Sequence, residues 1–128
     1  MLGAIERARV PRMEEHFLYL TTTGRKTGLP RQIEIWFVEL RGRYYVVSEA
    51  RELANWVKNL QQAPRVHFSI GTAEQTEAVM ATTPALGRVV KPEHAPALAG
   101  QICALMDAKY GWSDGLIVEL VPEAAHEA

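Results

Sequence analysis

Two strand-like runs meet at Arg41-Gly42, and no other feature limits so strongly what this chain can become. Over residues 31–40, Ile33, Ile35 and Phe37 fall on one face, while Gln32, Glu34, Trp36 and Val38 fall on the other. That is the period of a strand. Residues 43–48 form a second run of strand-forming types. A two-residue link ending in glycine predicts a tight hairpin turn, with Gly42 at positive φ. The chain is therefore committed to antiparallel pairing in its first half.

The remaining elements follow from the same local rules. Residues 3–10 read as a short helical lead-in ended by Pro11, and residues 16–23, rich in aromatic and β-branched types, as the first strand. A helix is predicted over 51–61, with Leu53, Trp56, Val57 and Leu60 at helical spacing and Asn55, Lys58 and Asn59 on its opposite side; Ala63-Pro64 ends it. Strands over 65–71 and 75–83 join through a turn at Gly71-Thr72-Ala73, and residues 84–90 read as a connection. A longer helix over 93–109 carries Leu98, Ile102, Leu105 and Met106 on its apolar stripe and stops at Gly111, a residue suited to the left-handed position. A last strand spans 115–121. The order β-β-β-α-β-β-α-β, with tight turns, predicts a small, mostly antiparallel α+β barrel.

Size and composition narrow the functional classes. At 128 residues the chain is read as one domain, 1–128, with a lead-in over 1–14 and a frayed tail over 122–128. A net charge of −1 gives no general attraction to nucleic acid or anionic membranes. No run is apolar and long enough for a signal peptide or a membrane span, so a cytoplasmic protein without stable membrane insertion is expected. The single cysteine, Cys103, rules out an intrachain disulfide and reads as a buried, inert thiol. The four histidines share no metal-ligand spacing, so no metal site is expected.

Against that neutral background, the segment Thr21-Thr22-Thr23-Gly24-Arg25-Lys26-Thr27-Gly28-Leu29-Pro30-Arg31 concentrates positive charge on a bend. Backbone N–H groups, hydroxyls and the cations Arg25, Lys26 and Arg31 are placed to converge on a phosphate or carboxylate. A solvated hairpin loop explains the same residues. The segment is not a nucleotide P-loop, because Arg25 and Leu20 stand where that motif requires glycines. Trp36 reads more readily as core or dimer interface than as the wall of a site, and Trp56 has the same default. Tyr110 and Trp112, flanking Gly111, either line a pocket or cap the long helix.

The same run closely resembles the signature of the deazaflavin-dependent nitroreductase family, which uses coenzyme F-420 on a split β-barrel similar to the flavin-binding pyridoxamine-phosphate oxidases. Asn55-Trp56-Val57-Lys58-Asn59-Leu60, followed by Ala63-Pro64-Arg65-Val66, resembles a second block of that family. The resemblance implies that Arg25, Lys26 and Arg31 hold the phosphodiester and glutamyl tail, with Thr23, Gly24 and Thr27 shaping the loop. It implies that Glu34 and Trp36 approach the deazaflavin ring, that Ser48 and Arg51 contact the cofactor from a strand-to-helix corner, and that Trp56 supports them. Glu34 departs from the small residue or proline common in the family, and Tyr110 matches its C-terminal tyrosines only loosely. The longer N-terminal segment that some members fold over the active site is not expected here.

The implied activity is hydride transfer from reduced F-420 to a quinone, nitro compound or activated alkene, with Tyr110 or solvent as the proton donor. Rival readings are a flavin mononucleotide (FMN) enzyme on the same barrel, a non-catalytic module that binds a cofactor or lipid, and a structural domain. A homodimer is expected, because the two-sided apolar strand over 31–40 offers more hydrophobic face than one small barrel covers.

Overall fold

The computed structural model describes residues 16–71 and 82–123. The predicted lead-in over 3–10 and most of the predicted strand over 75–83 lie outside them. Seven strands are described: β1 (Phe17–Thr23), β2 (Pro30–Ile35), β3 (Phe37–Leu40), β4 (Arg43–Ser48), β5 (Arg65–Gly71), β6 (Thr83–Val90) and β7 (Leu116–Pro122). Two α-helices, α1 (Asn55–Gln62) and α2 (Pro96–Tyr110), complete the set. The strands form one sheet in the order β2-β1-β5-β6-β7-β4-β3, and every pairing is antiparallel. The architecture is an α+β split barrel.

The sheet's two edge strands, β2 and β3, are consecutive in the chain and separated by a single residue, Trp36. A sheet whose opposite edges are joined through one residue has to curl until those edges meet. The long strand predicted over 31–40 is therefore two strands. Alternation runs through the break undisturbed: Ile33, Ile35 and Phe37 all face the interior, and Val38 faces out. The hairpin at residues 41–42 forms as predicted, with Arg41 (φ 53°) sharing the left-handed region with Gly42 (φ 81°). Positive φ at both central positions matches the twist of the paired strands.

Inside the barrel, Leu18, Leu20, Val46, Val66, Phe68, Val118 and Leu120 pack with Val57 and Leu60 of α1. On the outer face, α2 lays Ala99, Ile102 and Met106 against Val38, Tyr45, Val47, Val90 and Ile117. Val38 is thus covered by the chain's own helix. That removes part of the uncovered face from which a homodimer was expected.

Four local predictions need correction. The connection predicted over 84–90 is most of strand β6. Pro84 stands near the strand's start, where a missing N–H is tolerated. Gly87 is not a loop residue but a packing one: a Cβ there would lie 2.5 Å from Cδ1 of Leu60. The helix predicted from residue 51 begins at Asn55, because Ala54 is extended (ψ 136°), and a short 3-10 turn, Arg51–Leu53, precedes it. Leu53 is consequently 77% exposed, while Asn59 is buried. On α2, which starts at Pro96, Leu105 lies off the buried stripe and Ala99 lies on it. Gly111 ends α2 in the left-handed conformation (φ 73°), as predicted. At the tail, Glu123 donates its N–H to the Pro84 carbonyl and pairs with Arg65 at 2.8 Å.

Candidate functional site

The basic loop is a closed turn between β1 and β2. Gly24 donates its N–H to the Leu29 carbonyl (2.8 Å), and Gly28, at φ 77°, donates to the Gly24 carbonyl (2.7 Å). Thr27 Oγ1 accepts the Leu29 N–H at 3.1 Å, so Thr27 shapes the turn from its side chain. Gly24 leaves little room for a side chain. A Cβ there would lie 3.0 Å from Thr27 Oγ1 and 3.1 Å from the Leu29 carbonyl oxygen, and 3.5 Å from Nε of Arg31, which leans back across the turn. Thr23 is exposed at the end of β1.

The three cations of this region are not equivalent. Arg25 turns onto α1: its Nη1 donates to Asn59 Oδ1 at 2.8 Å, its Nη2 to Asn55 Oδ1 at 3.3 Å, and its backbone N–H to Asn59 Oδ1 at 3.1 Å. Asn59 in turn reaches the buried Thr22 hydroxyl at 3.4 Å. Lys26 and Arg31 are exposed, and among the described residues neither carries a counter-ion. Two positive charges without a counter-ion among the described residues, beside a backbone turn, make a place for an anion.

From Arg31, β2 runs toward a cleft of about 930 Å³. Glu34, Trp36, Ser48 and Trp56, four residues singled out in the sequence, all line it. At about 3.3 Å per residue, Arg31 and Glu34 stand ~10 Å apart along the strand. Phe17 and Trp112 complete the aromatic walls. Glu34 is held by the hydroxyl of the buried Tyr19, its partner across β1 and β2, at 2.7 Å. Ser48 donates to the Arg51 carbonyl at 3.0 Å and so pins the corner between β4 and α1.

Arg51 and Tyr110 do not join the lining of that cleft. Arg51, in the left-handed region at φ 54°, pairs with Asp114 at 2.8 Å and lines a smaller cavity of about 300 Å³ beside Cys103. Cys103 is half-buried. Tyr110 stands behind Trp36, rings parallel within 3° and 4.3 Å apart, with its hydroxyl on the Phe37 peptide. The aromatic pair read around Gly111 is divided: Trp112 lines the cleft and Tyr110 backs its wall.

Sequence reasoning missed Asn55 and Asn59 as the seat of Arg25, and it missed Glu119. The Glu119 carboxylate is fully buried between β4 and β6, accepting from Tyr45 (2.8 Å), Arg88 (2.6 Å) and Arg43 (3.3 Å). Burial pushes its pKa up, but those hydrogen bonds outweigh it and leave the group below the ordinary glutamate value. Tyr45 is pushed up to about 12 by burial and by Glu119. Glu119 gave no signal in the sequence, since an acidic residue inside an apolar strand declares no partner. Among the described residues no group of acidic, histidine or cysteine side chains is placed to hold a metal ion.

Chemically, the site offers an aromatic-lined cleft of about 930 Å³ at one end of β2 and, at the other, cations without a counter-ion among the described residues, an arrangement suited to a flat ring with an anionic tail.

Several solved structures share the fold. The haem storage protein HutZ of Vibrio cholerae is 21% identical, with a TM-score of 0.67 over 95% of this chain and 89% of that one. A putative pyridoxamine 5'-phosphate oxidase of Listeria innocua is 14% identical, with a TM-score of 0.61 over 84% and 83% of the two chains. An F420-H2 dependent reductase, FDR-A, is 22% identical, with a TM-score of 0.50 over 81% and 92%. At these identities the likeness establishes the barrel alone. No curated protein matches the sequence significantly. The model of the F420H2-dependent quinone reductase family matches residues 5–92, which include the basic turn, β2, the β4–α1 corner and α1. The chain therefore belongs to the F420H2-dependent quinone reductase family and is an oxidoreductase that uses coenzyme F-420.

Proposed function

We propose that the cleft between Trp36, Trp56 and Trp112 is where this reductase brings coenzyme and electron acceptor together, the acceptor being a quinone, a nitro compound or an activated alkene. The observation that supports the reading is that Glu34, Ile35 and Trp36 line the aromatic cleft at one end of β2, while Lys26, in the turn before its other end, and Arg31, at that end, have no counter-ion among the described residues. Reduced F-420, when bound, supplies a hydride from its ring carbon 5.

The chain's own residues do the rest. Lys26 and Arg31 hold the anionic tail, with Thr23, Gly24 and Thr27 forming the turn beneath it, while Arg25 ties that turn to α1. Trp36 and Trp56 flank the ring, and their apolar faces keep water from the hydride path. Ser48 secures the corner that closes the cleft, and Arg51 secures it from behind through Asp114. Glu34, fixed by Tyr19, places one carboxylate on the cleft wall. This negative group beside the acceptor position favours neutral acceptors over anionic ones.

A cytoplasmic homodimer belongs to the same proposal. Among the described residues no helix is long and apolar enough to cross a membrane. Exposed Leu86 and Leu105 are candidate contacts between subunits. Light scattering at micromolar concentration checks this, and a stable monomer refutes it.

The test of function is parallel titration with F-420 and FMN, then oxidation of reduced F-420 with menadione, a nitroaromatic and an unsaturated lactone. Binding of F-420 with turnover of one acceptor supports the proposal. Binding of FMN alone refutes it, and F-420 binding without turnover assigns a non-catalytic role.

A further inference from the structure

We infer that Tyr110 is a positioning residue, which sets the plane of the Trp36 wall from the C-terminal turn of α2. The binding consequence rests on the function proposed above; the structural consequence does not.

Two independent sets of contacts converge on one point of the chain. The phenol ring lies flat on the Trp36 indole, 4.3 Å between centroids and 3° from parallel. The hydroxyl of the same side chain accepts the Phe37 N–H at 3.1 Å and donates to the Phe37 carbonyl at 3.0 Å. Lys109 adds its Nζ to that carbonyl at 2.8 Å and lies 4.0 Å above the Phe37 ring. One turn of helix thus grips the backbone after Trp36 and the side chain of Trp36 together.

This is the residue that needs gripping. Trp36 lies between the two edge strands and has no partner in either ladder, so no cross-strand neighbour is paired with it. It lines the cleft while 39% exposed, and an aromatic ring that exposed has rotamer freedom to lose on binding. Tyr110 is not among the residues lining the cleft, so the indole stands between it and the ligand. A stacked neighbour removes the rotamer freedom beforehand, which lowers the ordering cost that a ligand would otherwise meet. A hydroxyl engaged on both the N–H and the C=O of one residue serves the backbone, and this replaces the proton-donor role implied by the family resemblance.

The experiment uses the whole protein with Tyr110→Phe and Tyr110→Ala. The nitrogen-bound indole proton of Trp36, assigned through Trp36→Phe, is read by NMR without any cofactor, and F-420 is titrated separately. Tyr110→Phe keeps the ring stack and is expected to hold the Trp36 resonance near its wild-type position and the pH–rate profile in its wild-type shape. Tyr110→Ala is expected to move that resonance and weaken F-420 binding by about three- to tenfold, the worth of one aromatic stack. An unmoved resonance in Tyr110→Ala overturns the inference. So does a large fall in kcat for Tyr110→Phe with Trp36 in place, which would restore the hydroxyl as a proton donor. Should Tyr110→Ala fail to fold, Tyr110→Leu replaces it, with the same expectations. Wild-type protein that binds no F-420 refutes the proposed function, while the resonance still decides the role of Tyr110.

Discussion

Arg25 and Lys26 are neighbours of the same charge on the same turn, yet the structure predicts opposite consequences for their loss. Removing the Arg25 side chain deletes one near-ideal charge-assisted hydrogen bond, Nη1 to Asn59 Oδ1 at 2.8 Å. It also deletes two long, exposed ones to Asn55, at 3.3 and 3.5 Å. The long pair contributes little in water. The short one ends on a buried partner and is worth about 1.5 kcal/mol. The cost is bounded, because Asn59 Oδ1 keeps the backbone N–H of residue 25 and is not orphaned. Arg25→Ala should therefore cost about 1–2 kcal/mol, lowering Tm by roughly 3–8 °C for a chain of this size.

Lys26→Ala deletes no such contact and should move Tm by less than about 2 °C, while weakening F-420 binding roughly ten- to hundredfold. Thermal unfolding followed by circular dichroism reads the first quantity, and fluorescence titration of F-420 reads the second. A double-mutant cycle of Arg25→Ala with Asn59→Ala should return a coupling of about 1 kcal/mol. Equal Tm values for Arg25→Ala and Lys26→Ala, or additive losses in the cycle, would refute the assignment of Arg25 as the tie between turn and helix.

Other consequences are as specific. Arg31→Ala should weaken F-420 binding by about tenfold and flatten its salt dependence, since an exposed charge without a counter-ion among the described residues acts through screened attraction; affinity unaffected by salt in the wild type contradicts this. Glu119→Gln should cost about 2 kcal/mol, because the amide gives up charge-assisted acceptance from Arg88 and Arg43 while those exposed arginines regain water; chemical denaturation measures it. With its folded pKa below the unfolded value, Glu119 stabilises the protein fully above the ordinary glutamate range. That contribution disappears as pH falls through the folded value, so the variant should show a shallower acid limb in stability against pH. Tyr45, raised to about 12, behaves in the opposite sense: its contribution is complete below pH 10.0 and lost between there and about 12. Gly87→Ala should destabilise by about 1–3 kcal/mol by displacing the buried Leu60, and Leu60→Val in the same chain should recover part of that loss.

What the sequence reveals about this fold is what neighbours along the chain decide. The hairpin at Arg41-Gly42, the strand over residues 17–23 and the left-handed stop at Gly111 all depend on a few adjacent residues, and the structure has them where local rules place them. Strand β6 was hidden because Pro84 and Gly87 are loop residues in any local reading. The reason for Gly87 is Leu60, in a different element. The break at Trp36 was hidden for the opposite reason. Inward alternation persists from Ile35 to Phe37, so the period gives no sign that the strand has crossed from one edge of the sheet to the other. In the site, the charges of Arg25, Lys26 and Arg31 were legible as a group. Their separation into one structural cation and two available ones depends on Asn55 and Asn59, which a helical wheel places on the solvent side.

The break and the cleft have a common cause. Joining the two edges of a sheet through one residue closes the barrel, and it also leaves that residue outside both ladders, with its side chain on the cleft wall. An indole at this junction gives the opening a flat wall without any further insertion in the chain. The strand leading into it, β2, runs from Pro30, next to Arg31, to Ile35, next to Trp36, so the same six residues set the separation of the cationic turn and the aromatic wall along the chain. A strand's rise per residue hardly varies, which makes that distance a fixed length of the fold rather than a loop-dependent one. Arg31 and Trp36 are five residues apart, about 16 Å along the strand at its usual rise, and long cationic side chains can shorten that gap; a ring that stacks on Trp36 would reach the cations through a long anionic tail and not as a bare ring acid.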